Sequence, residues 1–361
     1  MRIEYEIMHA DLCAATIDTV GRCKVYHPAF MPYGLRLIDA EEFDAYIENL
    51  DLFHHWCASR ILTLDRQNAK AMLNSVGMTQ AATDRDQARN ALKYRCLSMK
   101  DVFWIREKGE RISFADVNLY QNYLGTSCVD IALLGKQYTV SAMDLAKDLS
   151  TDGCCAKAWR YNGKHFELIK GGNDDAVKRE LLASCICRCF DVDQVCYEEN
   201  VIDGKRVTIS KGMTSIQYSL ADMREVYQWM SGNEEEVKAF ILDLDAKNYH
   251  MMNILDYLVG NIDRHLGNWG VLVDNSTNRP LRLHNLMDFN QAFHAYDTLE
   301  GAECQTLFGE YRTQKEAALQ AVDKIGLNQV EFVPSSVFEQ LPQYKEMFLR
   351  RLAVLTEHCR R

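Results

Sequence analysis

Proline is scarce and glycine modest, at five and 19 of 361 residues, and the chain has neither a low-complexity tract nor a repeat of solenoid length. Disordered and repetitive architectures are therefore not expected. No apolar run approaches the roughly 18 residues that cross a bilayer. The opening MRIEYEIMHADLC sets acidic residues where a secretion signal has its apolar core. These absences point to a soluble, cytoplasmic protein with no membrane partner. Positive charge is also in deficit. Against 51 Asp and Glu stand 41 Lys and Arg, a formal charge of −10, divided as −3 over residues 1–150 and −7 over residues 151–361. Non-specific nucleic-acid binding needs a broad basic surface, so no direct nucleic-acid partner is expected, although Lys93, Arg95 and Lys100 make a short basic patch.

Thirteen cysteines are present, an odd number, and none form the C-x-x-C pair with which two thiolates grip one zinc. Cys185 and Cys189 are four residues apart beside Leu181 and Leu182, and read as small core residues with reduced thiols. Zinc binding and redox sensing are the lesser readings.

With 47% hydrophobic residues the chain can bury the cores of two or three compact units. Residues 1–40 suggest a few strands. Phe43, Ile47 and Leu50, then Trp56, Ile61 and Leu62, recur at helical spacing. Asp84–Leu97 reads as a further helix, before an extended piece through Val102, Trp104 and Ile105. Ala142–Leu149 is again helical. Two hairpins are expected: Cys155–Tyr161 and His165–Ile169 around Asn162-Gly163, as a type I′ turn, and Gln194–Glu199 and Arg206–Ser210 around Asp203-Gly204. A helix over Asp174–Phe190 lies between them. Helices over Asp243–Gly260, Gln314–Ile325 and Ser335–Cys359 fill most of the remainder, with a strand-rich interruption at Trp269–Asp288. The pattern is α+β, with a domain boundary near residue 140: a mostly helical region 1–140 of unassigned function, then 141–361.

The chemistry-bearing stretch runs from Asn261 to Phe289, as NIDRHLGNWGVLV and then LRLHNLMDF. Asp263 precedes Asn268 by five residues, and Asp288 follows beyond two apolar runs split by Asp274-Asn275-Ser276. Phosphoryl transfer from a nucleotide needs a carboxylate at the attacking hydroxyl, with a second carboxylate and an amide for magnesium. Gly267 is read as easing the bend that returns Asn268 to the metal, and the strand pair Trp269–Val273 and Leu281–Leu286 as bringing Asp288 back beside it. Oxygen ligands of this kind suit a hard cation.

Residues Asn261–Asn268 resemble the catalytic loop of the HipA-like kinases and of the phosphoinositide kinases, which use Asp-x-His-x-x-Asn. The resemblance covers about residues 145–361. It implies a two-lobed kinase fold, with an N-lobe at 141–215 and a C-lobe at 216–361, that uses ATP and Mg2+. By the same resemblance Asp263 is the catalytic carboxylate, and Asn268 and Asp288 are metal ligands. His265 supports the loop or contacts phosphate. Lys170, closing the run HFELIK, contacts the nucleotide phosphates, with Lys157 and Lys164 as alternatives, and Glu180 is its helix partner. The turn Ser150, Thr151 and Gly153 lies over the phosphates, with a serine that such kinases can phosphorylate in themselves. The segment from Thr208 to Met213, with Ile209 and Lys211, meets the adenine. Residues 1–140 do not match the β-rich N-terminal region of the best-known HipA proteins.

The activity implied is transfer of the γ-phosphate to serine or threonine of a protein. Known members of that family modify aminoacyl-tRNA synthetases, so such a synthetase or another translation factor is the target the resemblance suggests, and these kinases are often bacterial toxins restrained by a helix-turn-helix antitoxin. Two other readings stay open, a phosphoinositide-type lipid kinase and a nucleotide-binding interaction module without catalysis. Missing basic or amphipathic docking segments weigh against the first, and retention of Asp263, Asn268 and Asp288 together weighs against the second. Trp159, Trp229 and Trp269 read as packing residues rather than base-stacking platforms.

Overall fold

The computed structural model describes residues 2–122, 127–294, 296–306 and 311–360. The described residues divide into two compact units, the first of residues 1–170, 212–220 and 273–279, the second of residues 171–211, 221–272 and 280–361.

The first unit opens with β1 (Glu4–His9), β2 (Leu12–Asp18) and β3 (Cys23–Val25). Three helices follow, α1 (Phe43–Ala58), α2 (Ala69–Ser75) and α3 (Asp84–Leu92). Next come β4 (Phe103–Glu107), α4 (Phe114–Val117), α5 (Ser127–Leu134) and α6 (Ala142–Leu149), and a hairpin of β5 (Lys157–Tyr161) and β6 (Phe166–Lys170). Strands β1 to β4 form one antiparallel sheet of order β3-β2-β1-β4. The expected helices begin in place but are shorter than expected: α1 ends at Ala58, before Ile61 and Leu62, and α3 ends at Leu92 rather than Leu97, with Arg95 and Cys96 left-handed. Strand β4 returns to pair with β1, so a four-stranded sheet organises this region. Phe53 of α1 stacks on Tyr5 of β1 at 5.9 Å. Just after α1, Arg60 is buried over the Trp56 ring and forks onto Asp101 with bonds of 2.8 and 2.7 Å. A planar guanidinium satisfied in this way can be buried without an orphaned charge.

The second unit contains α7 (Asp174–Cys187), β7 (Tyr197–Ile202) and β8 (Lys205–Lys211). The chain passes between units within β9 (Tyr218–Asp222), continues through α8 (Met223–Trp229) and α9 (Glu234–Val259), and passes twice more within β10 (Gly270–Asp274) and β11 (Arg279–Leu283). Helices α10 (Gln314–Ile325) and α11 (Lys345–Cys359) end it.

Local chemistry sets these boundaries. Ser141, Asp222 and Thr313 each close a reciprocal capping box at the head of α6, α8 and α10. Three glutamates fill the first turn of α9, where the helix dipole favours them. That helix bends at Asp245, whose backbone is non-helical (φ −162°, ψ 65°). The Asp245 carboxylate accepts from the Asn248 N–H at 3.2 Å and the Leu283 N–H at 3.1 Å, so it caps the second half of α9 from inside and fastens β11 to it.

The two hairpin turns differ. Asp203 (φ +53°) and Gly204 (φ +73°) both adopt the left-handed region between β7 and β8, as a type I′ turn requires. In the β5–β6 hairpin only Gly163 has a positive φ, and Asn162 pairs with His165, so the loop is Gly163-Lys164. Asn162 instead accepts from the Lys164 and His165 N–H groups at 3.0 Å each. The expected type I′ turn is therefore not formed: the loop moves on by one residue and only its first residue is left-handed, because the Asn162 side chain caps the loop rather than entering it.

Candidate active site

Asp263, His265, Asn268 and Asp288 all lie in the second unit. Helix α9 delivers the loop: it stops at Gly260 in the left-handed conformation (φ +59°), and a Cβ there would stand 2.5 Å from the Tyr296 ring. Beyond it Asn261 is buried, with its carbonyl receiving the Gln314 Nε2–H at 2.6 Å and its Nδ2 donating to Asp256 at 3.1 Å.

One buried arginine holds the loop together. Arg264 is 2% exposed. Its Nε and Nη2 donate to the two Asp256 carboxylate oxygens at 2.9 and 3.0 Å, and its Nη1 donates to the carbonyls of Asn268 at 3.0 Å and Met287 at 2.6 Å. The Phe289 ring lies against the guanidinium at 5.4 Å. Burial disfavours the charge, but the Asp256 carboxylate more than offsets this and raises the Arg264 pKa. Since one nitrogen serves the carbonyls of Asn268 and Met287, the residue after each, and Asn268 itself, are brought to one place. The 19 intervening residues, which include β10 and β11, therefore do not separate Asn268 from Asp288.

Within that frame the Asn268 Nδ2 donates to the Asp263 carbonyl at 2.6 Å, and its backbone N–H to the His265 carbonyl at 2.9 Å. Asp288 is held with φ +60° by its N–H donating to the Tyr197 hydroxyl at 3.0 Å. Left-handed backbone at a non-glycine residue costs energy and persists where surrounding contacts enforce it, often at functional positions. The His265 Nδ1 accepts from the Gly267 N–H at 3.0 Å, which places the ring proton on Nε2, facing the Asp263 carboxylate at 3.8 Å. The Asp263 side chain is 41% exposed and that of His265 52%, so this carboxylate can meet a substrate hydroxyl.

A hard cation fits this donor set. The Asn268 amide nitrogen is engaged on the loop, so the donor atom this side chain could offer a cation is its Oδ1, and Asp288 carries a carboxylate. Among the described residues no group of three or more His, Cys, Asp or Glu gathers as a metal cage. An amide and one carboxylate suit magnesium, which keeps its waters and takes further ligands from phosphates.

Lys170, Ser150, Thr151 and Gly153 belong to the first unit. Lys170 ends β6 and is 6% exposed, opposite Lys157 in the β5–β6 register. Ser150 ends α6 and is buried. Thr151 donates its hydroxyl to the Lys147 carbonyl at 2.7 Å and accepts from the Trp159 indole at 2.9 Å. Gly153 has φ +94°, and the Lys157 Nζ lies under this turn, donating to the Asp152 carbonyl at 2.8 Å. In the second unit Glu180 is buried and accepts from the Thr208 hydroxyl at 3.0 Å. Ile209 is buried in β8 and the exposed Lys211 ends that strand.

Sequence reading missed Asp256, Arg264 and Tyr197. A signal for the first was present: in MMNILDYLVG, Asp256 is the one charged residue in an apolar run, and a charge buried there demands a partner.

No protein-family model matches the chain, and no curated protein does. Among solved structures, a chain of the Shewanella oneidensis MR-1 toxin–antitoxin complex of HipA, HipB and operator DNA aligns with 98% of this chain and 95% of its own length. The TM-score is 0.55 at 11% identity. The fold is HipA-like. The likeness extends over the N-terminal residues as well, wider than the stretch from about residue 145 that the motifs cover. A Helicobacter pylori proinflammatory kinase, CtkA, aligns with 56% of this chain and 89% of its own, at 16% identity and a TM-score of 0.39. No helix of the described residues is long and apolar enough to cross a membrane.

Proposed function

We propose that this chain is an ATP- and magnesium-dependent kinase of the HipA type that phosphorylates serine or threonine of a protein. The observation that carries the reading is the Arg264 clamp, which gathers Asn268 and the segment leading into Asp288 around a loop that leaves the Asp263 carboxylate exposed. Asp263 orients the acceptor hydroxyl and takes its proton. Magnesium, held by Asn268 and Asp288, supplies positive charge to the nucleotide phosphates. Lys170, with Glu180 as its partner, neutralises those phosphates, the turn Ser150, Thr151 and Gly153 covers them, and backbone groups around Ile209 and Lys211 meet the adenine. Kinase catalysis rests on such positioning and charge rather than on covalent steps.

In this reading residues 141–361 form the two-lobed kinase, and residues 1–140 recognise the substrate or regulate it. This reading takes the chain as a cytoplasmic toxin, and a helix-turn-helix antitoxin and a translation factor as target are the partners to seek, since the Shewanella HipA structure is a complex with HipB and operator DNA. Self-phosphorylation at Ser150 would need α6 to open at its end, because that residue is 8% exposed. The test is incubation with γ-labelled ATP and magnesium in three arms: the chain alone, a lysate, and phosphoinositide vesicles. Label on protein serine or threonine is expected. Label confined to lipid would replace this reading with a lipid kinase, and tight ATP binding without any transfer would replace it with an interaction module.

A further inference from the structure

The loop around Asp263 contains its own arginine, yet Arg264 is buried and its nitrogens are engaged by Asp256, Asn268 and Met287. It cannot turn toward a phosphate. Another cation stands at the loop surface. Arg224, two residues into α8, donates from Nη2 to the Asp222 carboxylate at 3.1 Å, and its side chain is 59% exposed. Asp222 is itself fixed as the cap of α8, accepting from the Glu225 N–H at 3.1 Å, so the guanidinium is aimed by a rigid element. It is aimed at Gly267: a Cβ built there would stand 2.8 Å from Arg224 Nη2 and 3.0 Å from His265 Cε1.

Gly267 therefore has a reason other than the bend assigned to it from sequence. Its φ lies outside the left-handed region, so its own backbone does not require glycine. What the missing side chain permits is the close approach of the Arg224 guanidinium, whose flexible end a methyl there would push aside. The arrangement sets Arg224 beside His265, whose Nε2 faces Asp263, one residue from the metal-ligand position Asn268.

We infer that Arg224 is a catalytic residue that contacts the transferred phosphoryl group, seated over Gly267 and supplying the positive charge that the loop's own arginine cannot. This rests on the kinase reading. In the step, the acceptor oxygen forms a bond to the γ-phosphorus as the bond from that phosphorus to the β,γ-bridging oxygen breaks. The electron pair leaves on ADP, and the hydroxyl proton passes to Asp263. Arg224 exchanges no proton. It stabilises charge spread over the equatorial oxygens, a role that in phosphoryl transfer is worth factors of about 10³ or more.

The test uses the full chain as wild type, Arg224→Gln, Arg224→Lys, Gly267→Ala and the Arg224→Gln/Gly267→Ala double variant, each checked for an unchanged urea midpoint. In Gly267→Ala the new methyl displaces the flexible end of Arg224 and leaves its charge in the protein. With labelled ATP, Arg224→Gln is expected to lower kcat by roughly 10² or more with the KM for ATP within about threefold. Arg224→Lys should recover part of the loss and Gly267→Ala should reproduce much of it. The double variant should be no worse than Arg224→Gln, because both changes remove one contact. An Arg224→Gln kcat within threefold of wild type, or losses that multiply in the double variant, overturns the inference and leaves the kinase reading standing. A wild type that transfers no label overturns the kinase reading, and with it the phosphoryl-contact role. Inorganic phosphate binding then reads the seat alone: equal affinity in wild type and Arg224→Gln removes it altogether.

Discussion

Removing Asp256 should show how far one buried ion pair organises the loop. Asp256→Ala deletes two charge-assisted bonds from Arg264, at 2.9 and 3.0 Å, and one from Asn261, at 3.1 Å. It also leaves a guanidinium in a site that is 2% exposed. Breaking a buried pair from one side costs about 3–5 kcal/mol, most of it the stranded charge, against a total stability of roughly 5–15 kcal/mol. With a urea m-value of about 2 kcal/mol/M, a 4 kcal/mol loss lowers the midpoint by about 2 M. Urea unfolding gives the size of the loss, and hydrogen exchange at residues 254–268 gives its place. Replacing both partners, as Asp256→Leu/Arg264→Met, should recover most of the stability, since no charge is then stranded, but not label transfer, since the carbonyls of Asn268 and Met287 lose their shared donor. A single-variant loss below about 1 kcal/mol, or a double variant as unstable as the two losses combined, would refute the reasoning.

Three further outcomes are expected. Burial pushes the Asp148 carboxyl up to about 6, with Lys147, the Trp159 N–H and Arg66 pulling against it. The folded chain thus holds a proton that the unfolded chain has released between about pH 4 and 6, and stability falls as pH rises through that window, by about 3 kcal/mol in all. Asp148→Asn should then gain on wild type from pH 4.5 to 7.5 in thermal midpoints, and parallel profiles would contradict this. Tyr197→Phe removes the acceptor of the Asp288 N–H and should cost about 1 kcal/mol in urea, with a raised magnesium requirement for label transfer; an unchanged requirement would detach Tyr197 from the site. Gly260→Ala meets the Tyr296 ring at 2.5 Å with φ +59°, and should lose more than about 1 kcal/mol, read as a lower urea midpoint.

Local signals in the sequence carried much of the architecture. Asp203-Gly204 gave its type I′ turn, Ala142–Leu149 and Gln314–Ile325 are helices over those very residues, and Cys189 donates its thiol to the Cys185 carbonyl one helical turn away at 3.7 Å. These depend on neighbours within a few residues. What stayed hidden depends on distant partners. β4 pairs with β1 across nearly a hundred residues, so the N-terminal sheet has no local signature beyond its separate strands. Asp245 reads as an ordinary helical residue until its carboxylate finds Leu283 and bends α9. The same holds at the site. The spacing of Asp263, Asn268 and Asp288 was visible, whereas Arg264 passed as a variable position because its role lies in four bonds to residues up to 23 positions away. Gly267 was seen, but for its backbone rather than for the Arg224 side chain above it.

The central claim is that Asp263 acts as the carboxylate of a phosphoryl-transfer site. The most direct measurement compares wild type with Asp263→Asn, a near-isosteric change at an exposed side chain, in label transfer from γ-labelled ATP with magnesium, with ADP affinity measured alongside. Wild type should label serine or threonine of a protein, and Asp263→Asn should lose about 10²–10⁴ in rate while binding ADP within a few fold. Equal rates in the two proteins, or no transfer by either, would contradict the account.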